Sequence, residues 1–100
     1  MILYNDTIKI DSSVQDEWVQ WMKEVHIPEV MQTGLFTEYR MLRLLEQDES
    51  DGITFAVQYL SRSMADYQLY KEKFAPALQQ KTLDKYEGKF VAFRTLMVVV

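Results

Sequence analysis

The sequence predicts an α+β fold of the ferredoxin-like kind, β-α-β-β-α-β, with a four-stranded antiparallel sheet and two helices on one of its faces. Three observations carry that expectation. The chain opens and closes on strand-like runs, Ile2 to Ile10 and Phe90 to Val100, rich in β-branched and aromatic residues. Between them lie two segments with apolar residues at helical spacing, each interrupted by a proline, Pro28 and Pro76. At the centre, Asp51-Gly52 stands between two further strand-like runs as a hairpin turn.

In the first strand Ile2, Tyr4, Ile8 and Ile10 fall on one face, with Asn5, Thr7 and Lys9 on the other. Asp6 interrupts the apolar face, and nothing in the sequence accounts for it. Asp11, Ser12 and Ser13 offer capping oxygens to the first helix, and Asp16 and Glu17 suit the positive end of its dipole. Val14, Trp18, Trp21, Met22 and Val25 then form a single stripe. Pro28 lacks an N–H, so the helix is expected to kink or restart near Ile27, run on to Gln32 and stop at Gly34. Phe36 to Glu46 reads as a long second strand and Gln47 to Gly52 as a solvated acidic turn. Ile53, Phe55, Val57 and Tyr59 form one face of a third strand.

Ser63 with Asp66 makes a capping box for the second helix, whose stripe is Tyr67, Tyr70, Phe74, Ala77 and Leu78. The final strand is apolar except for Lys89, Arg94 and Thr95, and a strand of that kind is expected to be covered on both sides. The two prolines, and the strand starts near 2 and 53, share an offset of about fifty residues, which marks two βαβ halves with right-handed crossovers. Residues 1–100 are therefore expected to form one ferredoxin-like domain. Ala56, Leu60, Ala92 and Leu96 make the second sheet face apolar enough to need a cover. A homodimer joined through that face is the simplest solution, and it leaves a pocket between sheet and helices.

Composition narrows the function. The net charge is −4, with acidic residues spread along the chain and no cluster of Lys or Arg, so no nucleic acid is expected as a partner. The absence of cysteine removes disulfides, thiolate metal sites and cysteine nucleophiles together. No metal and no cofactor are expected. No long apolar stretch and no basic leader precede the first strand, so no membrane is expected and a cytoplasmic location follows. Gly-rich phosphate loops, nucleophile elbows and paired catalytic carboxylates are all missing.

The stretches EWVQWMKEVHIPEVMQTGLFTE, QYLSRSMADYQLY, FAPAL and GKFVAFRTLMVVV together resemble an uncharacterised bacterial family, a domain of unknown function in the dimeric α/β-barrel superfamily. The resemblance spans the whole chain and implies the ferredoxin-like fold and pairing, with no activity to transfer. More loosely, the layout is similar to cofactor-free antibiotic-biosynthesis and haem-degrading monooxygenases, which use an Asn on the first strand with a Trp and a His elsewhere. Asn5 matches that placement. The only His and both Trp lie on the first helix instead, so the rest of that set does not carry over.

The candidate pocket residues are His26, Asn5, Arg94, Gln58 and Trp21. His26 titrates near neutral pH and suits a proton shuttle, unless it serves only to donate to carbonyls freed by Pro28. Trp18 and Trp21 line either a ligand pocket or the core. Glu38 is the expected partner of Arg40, whereas Arg94 has no acidic neighbour in its own strand and so faces either a ligand or a dimer partner. Asn5, Thr7, Gln58 and Arg94 are expected to share one sheet face as a polar patch. Two readings of function follow: a protein that binds or transforms a small organic molecule, or a non-catalytic dimerisation or ligand-sensing module.

Overall fold

A computed structural model describes residues 1–100. Its elements are β1 (Ile2–Asp11), α1 (Gln15–Trp21), a π-helical turn (Met22–His26), α2 (Ile27–Gln32), β2 (Glu38–Arg43), β3 (Gly52–Ser61), α3 (Met64–Lys73), α4 (Ala75–Tyr86) and β4 (Phe90–Val98). The four strands form one antiparallel sheet in the order β2-β3-β1-β4, with β1 and β3 central. This is the ferredoxin-like arrangement that the order of elements predicts.

Alternation decides which residues meet the helices. On β1, Tyr4, Ile8 and Ile10 are buried. Their partners across the ladders are Tyr59, Phe55 and Ile53 on β3 and Leu96, Ala92 and Phe90 on β4. Trp18, Met22, Ile27 and Val30 cover this face from the first helical segment, and Tyr70, Ala75, Leu78 and Tyr86 from the second.

The prolines act by two different routes. Before Pro28 the helix widens rather than breaks: Ile27 stays helical and its N–H donates to the Met22 carbonyl, one residue further back than in an α-helix. The wider turn accommodates a ring that would clash with the carbonyl four residues earlier. It also shifts the stripe, so Val25 ends up exposed while Ile27 and Val30 are buried. Before Pro76 the backbone opens at Phe74, whose φ of −115° departs from the usual helical value while its N–H still donates to the Tyr70 carbonyl, and this distortion separates α3 from α4. Phe74 and Ala77 are consequently exposed, against expectation, and Ala75 takes the buried place.

Several expectations need correction. Val14, not a serine, precedes α1, and Asp11 instead accepts from the Ser13 N–H at 2.8 Å and its hydroxyl at 2.6 Å, tying the strand end to the helix. Ser63 does cap α3, its hydroxyl accepting from the Asp66 N–H at 3.1 Å. β2 is shorter than read: it ends at Arg43, and Glu46 adopts a positive φ of 58° in the loop beyond. Gly52 is required for a close approach, since a Cβ there would lie 2.0 Å from the Ile10 carbonyl oxygen. Glu38 does not pair with Arg40; Arg43 instead grips Glu49, at 2.7 Å and 3.2 Å.

The face of the sheet away from the helices is bare within one chain. β4 is an edge strand, and Val91 and Phe93 are 73% and 62% exposed on it, so the expected double cover is absent from the single chain. The composition of that face also differs from expectation. Ala56 and Leu60 belong to it, but Ala92 and Leu96 pair with Ile8 and Tyr4 and so lie on the helix side. Phe93, Met97 and Leu42 take their place. No helix is long and apolar enough to cross a membrane.

Candidate functional site

Between sheet and helices lies a cavity of about 200 Å³. Its floor is the helix-facing side of three strands, with Tyr4, Asp6 and Ile8 from β1, Tyr59 from β3 and Arg94 from β4. Trp18, Met22 and His26 form the roof, one above another along the first helical segment. His26 follows Met22 by four residues as Met22 follows Trp18, so the three share one helical face and the π turn leaves them in line. Tyr70 closes one end, and Gln79, Thr82 and Leu83 of α4 the other side. A more open hollow adjoins it, sharing Tyr4, Tyr70, Gln79 and Arg94 and adding Lys71.

The polar groups are concentrated on the floor. Asp6 and Arg94 face one another across the β1–β4 ladder. Arg94 Nε stands 3.9 Å from Asp6 Oδ2, with the Asp6 side chain 18% exposed and that of Arg94 44%. The other carboxylate oxygen, Asp6 Oδ1, is buried without a hydrogen-bond partner, and so is the Tyr59 hydroxyl. A buried polar group left unpaired costs about 1–3 kcal/mol, so two in one cavity are an expense that a folded core alone does not explain. Aromatic rings frame them: Tyr4 packs on Tyr59 and Tyr70 with centroids 6.0 Å away in each case, and Phe36 packs on Tyr70 at 4.9 Å.

The whole chain, residues 1–100, matches the family described as Domain of unknown function (DUF4286). The chain belongs to that family. Solved structures share its fold from end to end. A putative antibiotic biosynthesis monooxygenase from Deinococcus radiodurans is 11% identical with a TM-score of 0.74, covering 100% of this chain and 93% of that one. HapK from Hahella chejuensis is 10% identical with a TM-score of 0.71, covering 100% and 93%. A dimeric ferredoxin-like protein from an uncultured marine organism is 15% identical with a TM-score of 0.69, covering 100% and 95%. At such identities the likeness concerns the fold alone. No curated protein matches the chain in sequence.

In this DUF4286 chain the buried titratable groups are driven apart. Burial pushes the Asp6 carboxyl from its ordinary 3.8 up to about 6, and the Arg94 guanidinium only partly restrains the rise. Burial acts the other way on His26, lowering it from 6.5 to about 4, with Glu29 opposing and Arg94 and Lys81 adding to the shift. Tyr4 is raised to about 12, chiefly by burial and then by the charge of Asp6. Burial pushes the hydroxyls of Tyr59 and Tyr70 up as well. Near neutral pH the cavity therefore holds one carboxylate that binds protons more readily than usual, a neutral imidazole and protonated phenols.

Of the five residues singled out from sequence, the structure brings His26 and Arg94 to the cavity. Asn5 and Gln58 face each other across the β1–β3 ladder on the opposite side of the sheet. The expected polar patch therefore divides: Asn5 pairs with Thr95 on β4, whereas Arg94 pairs with Asp6, and adjacent strand residues point to opposite faces. Asn5 instead donates to the Thr7 hydroxyl at 2.9 Å. Trp21 lies behind His26, with ring centroids 5.2 Å from it and 5.5 Å from Tyr86. The His26 side chain makes no hydrogen bond to the carbonyls near Pro28.

Asp6 and Tyr59 were not among the five candidates: the sequence marks Asp6 as a break in the apolar face without accounting for it, and offers the Tyr59 hydroxyl, with those of Tyr4 and Tyr39, without placing it. A signal for Asp6 was available: it shares the parity of Tyr4, Ile8 and Ile10, so it had to face the core, and a core-facing carboxylate requires a reason. Nowhere do three or more His, Cys, Asp or Glu side chains gather as metal ligands.

Proposed function

We propose that this protein binds or transforms a small organic molecule in the cavity between sheet and helices. The observation that carries this reading is the pair of buried, unpartnered oxygens, Asp6 Oδ1 and the Tyr59 hydroxyl, in a cavity otherwise walled largely by apolar side chains. Arg94 stands at the more open side of the floor, where it can meet a polar group of the ligand, and His26 presents a neutral imidazole from the roof. Asn5, Gln58 and Trp21 fall outside the site in this reading. The 100 residues act as one unit, supported by a single core cluster whose buried strand members come from β1 and β3, with Met41 of β2 and Phe90 and Ala92 of β4 packed against it.

The working form is a homodimer in a bacterial cytoplasm, joined through the bare sheet face. Exposed Phe93, Val91 and Leu42 favour that pairing, because contiguous apolar surface on a sheet invites a partner. The same surface is the specific support for the second reading, a dimerisation or ligand-sensing module whose cavity performs no reaction.

A thermal-shift screen against small ketones, phenols and carboxylic acids tests the first reading. A ligand at a hundred times its Kd raises stability by about 2.7 kcal/mol, a shift readily visible in a chain of this size. The shift should shrink in Arg94→Met and in His26→Gln while both variants stay folded. A ligand-induced shift that neither variant alters would remove the cavity from consideration.

A further inference from the structure

We infer that the cavity performs a cofactor-independent enolisation: Asp6 Oδ1 removes the proton α to the carbonyl of a small apolar ketone, and the Tyr59 hydroxyl donates to the enolate oxygen that forms. The inference rests on the small-molecule reading above and names the substrate class and the reaction.

The geometry of the floor carries it. Arg94 Nε lies 3.9 Å from Asp6 Oδ2, a long charge contact. Oδ1 is buried and has no hydrogen-bond partner, so a small side-chain rotation into the cavity would bring it to the α-proton of a bound ketone. Tyr59 stands opposite Tyr4, one residue pair along the ladder from Asp6 on the same face, so both polar groups address one volume. A diagonal step of this kind lies within the reach of an aromatic side chain. Its hydroxyl has no partner to give up when it turns to a ligand. Trp18, Met22, Phe90 and Ala92 supply an apolar bed for a hydrocarbon body, and none of them competes for the carbonyl.

The chemistry balances without a cofactor. The C–H bonding pair becomes the new C=C bond, the carbonyl π pair moves onto oxygen, and the proton resides on Asp6 Oδ1. Returning that proton to the same carbon restores the ketone, with solvent exchange as the visible trace. Returning it to the far carbon of a conjugated enolate moves the double bond instead. The protonation states agree with these roles: a carboxyl raised to about 6 is a stronger base than usual, yet still ionised at neutral pH. A phenol pushed upward remains a donor. The neutral imidazole of His26 on the roof does not repel the developing negative charge.

The probes are 2-tetralone, whose α-protons can be followed by NMR in D2O, and 2-naphthol, a flat stand-in for its enol. The wild-type protein should bind both and exchange the α-protons about 100-fold or more faster than Asp6→Asn, the usual scale of a general base. Tyr59→Phe should lose about ten-fold or more while retaining the same pH profile. Asp6→Asn should remain folded and still bind 2-naphthol. The wild-type rate should rise with pH through a midpoint near 6. The groups facing Asp6 are Tyr4, Tyr59, Tyr70 and Arg94, and His26→Gln should leave that midpoint in place, since His26 titrates lower. Binding of 2-tetralone with exchange no faster than in Asp6→Asn would overturn the enolisation and leave the cavity reading standing. Failure of both probes to bind would overturn the two together.

Discussion

The two faces of the sheet handle polar residues in opposite ways, and β1 shows it in two consecutive positions. Asn5 and Asp6 each bury an unpartnered oxygen. Asp6 looks toward the helices, into a cavity with a charged partner and a set of phenols. Asn5 looks out from the bare face, beside Thr7 and opposite Gln58, among neutral groups and apolar side chains. A charge buried by the chain's own helices is costly unless it has a task, whereas a neutral amide on an uncovered face suits a seam that a second copy closes.

The largest effects should come from breaking the covered face. Trp18 is 1% exposed, roofs the cavity and packs on Phe55 with centroids 5.2 Å apart. Trp18→Ala should cost about 3–5 kcal/mol, measured by denaturant unfolding. Trp21→Ala, only partly buried, should cost clearly less. Equal losses would mean that the roof is not organised around the cavity.

Next in size is the pH response of the same face, where two buried groups oppose each other. Asp6 is raised in the folded state, so its contribution is present below 3.8 and is lost as pH rises through about 6. A shift of two units corresponds to about 3 kcal/mol at most. His26 is lowered, so its contribution is present above 6.5 and is lost as pH falls through about 4. Between pH 4 and 6 the two largely cancel, and the wild type should show little slope from them. Asp6→Asn should be more stable than wild type above pH 6 and lose stability as pH falls. His26→Gln should gain stability as pH falls over the same window. Parallel urea titrations of the two variants between pH 4 and 7.5 measure both slopes, and slopes of the same sign would contradict the opposition.

How far this contrast was legible in the sequence depends on the kind of contact involved. Local chemistry was readable: the alternation of β1, the Ser63 cap and the stop at Gly34 all depend on neighbours a few residues away. The widening before Pro28 was not, because a proline can be absorbed by a kink, a break or an extra residue in the turn, and only packing decides among them. That extra residue is what put Val25 outside and Ile27 in the core. Register was the other hidden quantity. Arg94 was visible as a charge without a local partner, and Asp6 as a charge on an apolar face, but only the ladder that sets them opposite makes them a pair. A shift of one residue would have placed Arg94 with Asn5, as the sequence suggested.

On the bare face the expected effect is smaller and concerns association. Phe93 is 62% exposed within one chain. Phe93→Asp should weaken self-association about ten-fold or more in sedimentation equilibrium while changing the stability of the dilute chain by less than about 0.5 kcal/mol. A large loss of monomer stability would show that the face already packs within the chain. A wild type that remains monomeric at millimolar concentration would remove the seam altogether.

The smallest expected effect separates the two faces most sharply. Thr7 accepts the Asn5 amide at 2.9 Å, and on this face nothing else satisfies that side chain. Thr7→Val keeps the shape and β-branching while deleting the acceptor, so it should cost about 1 kcal/mol, the worth of one hydrogen bond. The thermal shift produced by a cavity ligand should be unchanged, because Thr7 points away from Asp6, Tyr59 and Arg94. A variant that keeps its stability but loses the ligand response would join the two faces into one site and return Asn5 to the candidates. A variant that loses about 1 kcal/mol and binds as before leaves Asn5 outside the site and the ligand on the helix side of the sheet.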